Sequence, residues 1–236
     1  MTHSLNSSDN AKASDIIDTP PRTRDPYLKH SIRLAGHGLY AITDGPRPDL
    51  LDAVAQALAG GARLLQYRDK SADAARRHAE AVALRQLCTT HAVPLIINDD
   101  VALAQAVAAD GVHLGKDDDD IAAARAVLGE DAIIGVSCYD SLARARMAAR
   151  SGAGYIAFGA FFGSPTKPLA PRAPLDLLRQ SAALGVPRVA IGGITPDNAA
   201  SLVEAGVDYL AVISAVFGAP DVRAAARRFA HFYSQD

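Results

Sequence analysis

In Glu204–Ser214, EAGVDYLAVIS, a helix end meets a glycine and passes at once into an apolar strand. The same order of events recurs in AGGARLLQ (59–66), AADGVHLG (108–115) and RSGAGYIAFG (150–159). The repeats are spaced by roughly 40 to 55 residues, about two βα units each. Their glycine suits a left-handed helix cap with a strand directly behind it. Working outward, short apolar runs appear at Leu39–Thr43, Arg63–Arg68, Leu95–Asn98, Gly111–Leu114, Ile133–Ser137, Tyr155–Gly159, Arg188–Ile191 and Tyr209–Ser214. Stretches of helical period lie between them, among them Ser71–His91 and Ser141–Arg150. Within Leu50–Leu58, the residues Leu51, Val54, Ala55 and Leu58 form one apolar stripe. Strand and helix alternating eight times in about 200 residues predict an α/β fold of the closed (β/α)8 TIM-barrel type. A doubly wound open sheet is the alternative, but LYAITDGPRPD (39–49) has no GxGxxG turn.

At roughly 150 residues per domain, 236 residues allow one large domain with a tail. Residues 1–36 are rich in Ser, Asp, Asn, Thr and Pro and show no apolar period. Such a stretch cannot bury enough surface to offset its ordering entropy, which predicts a disordered extension ahead of a barrel over 37–236. It has no apolar core of a secretory signal and too many acidic residues for a transit peptide. Twenty-four Lys and Arg against 26 Asp and Glu give a net charge of −2, so nothing favours a nucleic acid. No apolar run approaches the ~20 residues of a membrane span. Two cysteines exclude a disulfide scaffold and a cysteine-ligated zinc site. The chain reads as a soluble protein of the cytoplasm with small-molecule partners. A homo-oligomer is left open.

In a barrel, chemistry belongs at the C-terminal ends of the strands. Here those ends carry Thr43, Gln66, Arg68, Lys70, Asn98, Asp99, Asp100, His113, Ser137, Gly192, Gly193 and Ser214. The opposite ends offer little beyond caps. Period two turns Gln66 and Arg68 toward the mouth, and Arg with Lys70 suits a phosphate or pyrophosphate. Adjacent carboxylates at Asp99 and Asp100 suggest a divalent cation on Asp99 and a helix cap at Asp100. One aspartate of the run Asp117–Asp120 could complete that cation site, and spacing does not choose which. His113 reads either as a substrate contact or as a packed histidine. Gly192-Gly193 allows close backbone approach to a phosphate, with Thr195 capping the helix behind it. The long loop Ala160–Pro174 brings Ser164, Thr166 and Lys167 as a candidate lid. Two anion sites with a cation between them fit two phosphorylated molecules and Mg²⁺.

The motifs GLYAITD, QYRDKS, INDD, ADGVHLG with its acidic run, GVS, SPTK, AIGGITPDNA and AVIS together resemble the thiamine-phosphate synthase family from about Gly38 onward. The resemblance implies a (β/α)8 transferase of thiamine biosynthesis. It would join a pyrimidine pyrophosphate to a thiazole phosphate and require Mg²⁺. By motif, Gln66, Arg68, Lys70 and Asn98 would hold the pyrimidine pyrophosphate, and Asp99 with Asp118 the Mg²⁺. Ser137 would bond to the leaving pyrophosphate and Lys167 would reach it. Ser164, Thr166, Gly193, Ile213 and Ser214 would receive the thiazole phosphate. The chain departs from the family pattern at Lys116, where Gln is usual. Cys138, beside Ser137, reads as a small buried residue and not a nucleophile. The rivals are a thiazole tautomerase-like relative and a non-catalytic binder of thiamine intermediates; neither needs the metal and pyrophosphate residues.

Overall fold

A computed structural model describes residues 1, 34, 36–115, 121–163 and 172–234. The expected disordered extension therefore lies almost wholly outside the described residues, as do Lys116, Asp118, Ser164, Thr166 and Lys167.

Eight strands close into a barrel in chain order. They are β1 Gly38–Ile42, β2 Ala62–Tyr67, β3 Leu95–Asn98, β4 Gly111–Leu114, β5 Ile133–Tyr139, β6 Tyr155–Gly159, β7 Arg188–Ile191 and β8 Tyr209–Val212. Neighbours run parallel, and β1 meets β8 with Gly38 opposite Tyr209. The connecting helices are α1 Leu50–Ala59, α2 Ala74–Thr90, α3 Val101–Ala106, α4 Ile121–Leu128, α5 Leu142–Arg150, α6 Asp176–Gln180 and α7 Ala200–Glu204, and α8 Ser214–Phe217 and α9 Val222–Ala230 follow β8. Each strand alternates between two packed layers, as period two demands. Leu39, Leu65, Ile97, Val112, Val136, Ile156, Ala190 and Leu210 face the helices in the larger cluster. Tyr40, Ile42, Leu64, Ile96, Tyr155, Val189 and Tyr209 fill the barrel itself.

Side-chain caps start several helices where the sequence supplies Asp or Ser. Asp73, Asp100, Ser141 and Asp221 each accept a backbone N–H from the first turn. A cap of this kind is worth ~1 kcal/mol. Two expectations shift. The buried stripe of α1 is Leu50, Ala53, Val54, Ala57 and Leu58, whereas Leu51 is 44% exposed. And α7 begins at Ala200, with no side-chain cap on it. Thr195 instead belongs to the turn before it, where its N–H donates to Asn198 Oδ1 at 2.9 Å. Among the described residues no helix is long and apolar enough to cross a membrane.

Candidate active site

The C-terminal strand ends converge on one mouth, and exposure rises along β2 toward it. Gln66 is buried, Arg68 is half-buried and Lys70 is exposed. Thr43 at the end of β1 fixes the backbone there, its Oγ1 donating to Arg68 O at 3.1 Å and accepting from Arg68 N at 2.8 Å. The neighbouring Asp69 is turned away to Arg76 and the Ser71 N–H. Five other arginines, Arg47, Arg76, Arg77, Arg85 and Arg188, each hold a carboxylate. Among the described residues neither Arg68 nor Lys70 has an ion-pair partner. Two unneutralised cations beside one another at a strand end make a place for an anion.

At the end of β3, Asp100 is the helix cap that the sequence suggested. Asp100 caps α3 through Leu103 N at 2.8 Å and pairs with Arg77 at 2.8 Å. Asp99 has φ +61, a left-handed backbone that non-glycine residues adopt at a cost. Among the described residues its carboxylate has one hydrogen-bond partner, Asn98, whose Nδ2 donates to Oδ2 at 2.7 Å. Lys70, Asn98 and Asp99 line one open cavity of about 530 Å³. A larger cavity, about 780 Å³, lies at the other end of the barrel between Gly38, Arg63, Tyr209 and Tyr233. None of the candidate residues lines it, so its size carries no chemical weight. Among the described residues no group of three or more His, Cys, Asp or Glu side chains could hold a metal ion; Asp118 lies outside them.

Deeper in the barrel, five side chains from five strands join in a line. Gln66 Nε2 donates to Tyr40 Oη at 2.6 Å, and Tyr40 Oη lies 2.7 Å from Tyr155 Oη. Tyr155 Oη is 2.9 Å from His113 Nδ1, and His113 Nε2 is 2.9 Å from Ser137 Oγ. Sequence reasoning singled out Gln66, His113 and Ser137 but missed both tyrosines. Their inward parity was the available signal. Burial pushes the His113 imidazole down to about 4 and both phenols upward. His113 is neutral when folded but takes a proton when unfolded, near its ordinary value of 6.5. Stability is then unaffected above pH 6.5 and falls as pH drops toward 4, by ~3 kcal/mol at most. Urea unfolding at pH 7 and pH 4.5 should show that loss, with a shallower one in His113→Gln; equal losses would remove His113 as its source.

The β7 end is shaped by packing. Gly193 has φ +64, and a Cβ there would sit 2.6 Å from Gly163 O and 2.7 Å from Phe162 O. The segment after β6 is tied back by Phe162 N donating to Gly192 O at 3.0 Å. Gly193→Ala should therefore cost stability by ~2 kcal/mol through strain and contact, read as a lower denaturation midpoint; an unchanged midpoint would show that the loop yields freely. Ile213 precedes α8 and exposed Ser214 opens it, so β8 ends at Val212, two residues before the expected end. Cys138 is buried, as expected.

The thiamine monophosphate synthase family model matches residues 39–216. A thiamine-phosphate synthase of Azoarcus sp. (strain BH72) is 62% identical over 187 residues, 78% of this chain and 91% of that protein. One of Xanthomonas campestris pv. campestris (strain 8004) is 57% identical over 204 residues, 84% of this chain and 96% of that protein. Among solved structures, thiamine phosphate pyrophosphorylase from Pyrococcus furiosus superposes with a TM-score of 0.75 at 37% identity, covering 84% of this chain and 96% of its own. The matched span runs from β1 into α8 and takes in every strand end just described, and on that footing the chain belongs to the thiamine monophosphate synthase family.

Proposed function

We propose that this chain condenses 4-amino-2-methyl-5-hydroxymethylpyrimidine pyrophosphate with 4-methyl-5-(2-phosphoethyl)thiazole, giving thiamine monophosphate and pyrophosphate. The observation that carries the reading is Arg68 and Lys70 at the mouth, without an ion-pair partner among the described residues, beside a line of polar groups ending in Ser137. In a dissociative displacement the methylene–oxygen bond breaks and its electron pair leaves with pyrophosphate. The aminopyrimidine stabilises the resulting cation, and the thiazole nitrogen lone pair closes the new bond. No proton is abstracted, so no general base is needed.

The chain's part is to bind, orient and neutralise. Arg68 forks onto the pyrophosphate and Lys70 adds a point charge. Asn98 and Gln66 orient the pyrimidine half, and Ser137 donates to the leaving group. Gly193, Ile213 and Ser214 receive the thiazole phosphate, joined by Ser164 and Thr166, while Lys167 reaches the pyrophosphate. Asp99 suits a hard cation, since it is an oxygen donor whose one hydrogen-bond partner among the described residues is Asn98. Asp99 and Asp118 would hold Mg²⁺, which when bound supplies positive charge to the departing pyrophosphate. A cytoplasmic setting suits two buried cysteines, Cys88 and Cys138, that are not joined in a disulfide.

The test is a coupled assay with both substrates and Mg²⁺, following thiamine phosphate and pyrophosphate, with an EDTA control. Product that needs metal and both substrates is the expected result. Thiazole phosphate binding without any product would overturn the reading in favour of a tautomerase or a non-catalytic binder.

A further inference from the structure

The line from Gln66 to Ser137 can run in either of two directions, and the Gln66 amide at one end sets every other link. An amide nitrogen donates and cannot accept. Tyr40 Oη accepts from Gln66 Nε2, so its own proton is left for Tyr155. In that direction Tyr155 Oη accepts that proton and gives its own to His113 Nδ1. A neutral imidazole that accepts at Nδ1 carries its proton on Nε2. With the Gln66 amide nitrogen on Tyr40, His113 donates to Ser137 Oγ and the serine proton is turned away from the histidine. Among the described residues Ser137 Oγ has no other partner, and Ser137 is half-buried at the mouth end of β5.

We propose that Tyr40 and Tyr155 are positioning residues which, through His113, hold Ser137 as a hydrogen-bond donor toward the leaving pyrophosphate. The proposal rests on the reaction argued above. It answers a problem that the serine has by itself. A free hydroxyl rotates and donates in any direction, whereas electrostatic help to a leaving group depends on donors already aimed at it. The relay spends its polarity on that aim.

The surroundings hold Tyr155 in this role. Gly135 on β5 leaves bare backbone beneath it: a Cβ there would lie 1.9 Å from Tyr155 Cζ and 2.3 Å from its Oη. The ring stands edge-on to Tyr40 at 5.8 Å between centroids, and nearly parallel to His113 at 5.6 Å. Burial keeps both phenols protonated and so able to donate. The bland alternative is a satisfied buried network with no preferred polarity, which any closed core requires. Such a network would be equally content with every proton reversed and Gln66 turned to offer its oxygen.

Tyr155→Phe separates the two, because it removes one oxygen and leaves the ring packing. Without the phenol proton, the imidazole is free to hold its own proton on Nδ1 and accept from Ser137, which turns the serine proton inward. Single-turnover pyrophosphate release should fall about 10-fold, with KM for the thiazole phosphate unchanged, since one donor is misaimed and not lost. In an S137A background the same substitution should have no further effect, a non-additivity that a merely structural role cannot produce. Nitrogen-15 spectra of labelled histidine, with the His113 signal identified by its loss in H113Q, should show Nε2–H in the parent and Nδ1–H in Y155F. Y40F, one link further out, should give a smaller loss of the same kind and serves if Y155F does not fold. An Nδ1–H imidazole in the parent, equal rates for parent and variant, or the same fold-loss in S137A would each overturn the relay. A parent protein that makes no thiamine phosphate overturns the reaction instead, a failure distinct from an active parent with the wrong tautomer.

Discussion

Asp99→Asn should lower metal-dependent turnover about 1,000-fold while leaving the fold intact, because several kcal/mol of charge stabilisation at the leaving group is lost. Asparagine is the informative replacement. Asp99 sits at φ +61, and Asn tolerates that region better than almost any residue except Gly. Its amide oxygen can also accept the Asn98 Nδ2 proton that Oδ2 now takes. The helix cap and the ion pair nearby belong to Asp100 and are untouched. What changes is one negative charge. Asp99→Ala would mix that loss with left-handed strain of ~1 kcal/mol or more. The measurement is kcat as a function of Mg²⁺ concentration, with calorimetric Mg²⁺ titration and a urea midpoint as controls. A variant with parental Mg²⁺ dependence would take Asp99 out of the metal site.

How far the sequence could reach depended on whether a signal was local. β3, β4, β6 and β7 begin and end where the apolar runs do, at Leu95–Asn98, Gly111–Leu114, Tyr155–Gly159 and Arg188–Ile191. Each follows a short turn, and that contrast is written within a few residues. The cap at Asp100 was also readable, because a cap needs an acceptor directly before the helix. In α1 the period could not choose between adjacent leucines. Leu50 packs inward while Leu51 is exposed, and only the approach angle of the helix settles it.

The tyrosines show the opposite limit. Tyr40 and Tyr155 are 115 positions apart, and each looks like an ordinary strand residue. What unites them is closure of the barrel, which brings β1 and β6 phenols together in its centre. Gly135 is similarly mute: its need for Tyr155 above it is visible only once β5 and β6 pair with Gly135 opposite Tyr155. At Gly193 the sequence suggested room for a phosphate, and the fold adds a second cause. The backbone of Phe162 and Gly163 already occupies the space a side chain would need.

Arg68→Ala is expected to lower kcat/KM for the pyrimidine pyrophosphate by 10²–10³, about 3–4 kcal/mol of transition-state stabilisation. The size follows from what the side chain does not do. Among the described residues its guanidinium joins no carboxylate, and Thr43 holds the backbone at that point from both the N–H and the C=O. Truncation therefore costs the fold little, within ~0.5 kcal/mol, and the loss falls on the bound anion. Pyrophosphate gains charge at the leaving oxygen as the bond breaks, so the fork helps the transition state more than the ground state and kcat should fall with kcat/KM. Arg68→Lys should recover only part of the rate, since an ammonium supplies charge without the two parallel donors. Steady-state and single-turnover rates for the three proteins, with urea midpoints alongside, decide the matter. If Arg68→Ala kept the parental kcat/KM, the guanidinium would be mere surface charge, and the pyrophosphate site would have to be rebuilt around Lys70 and Lys167 alone.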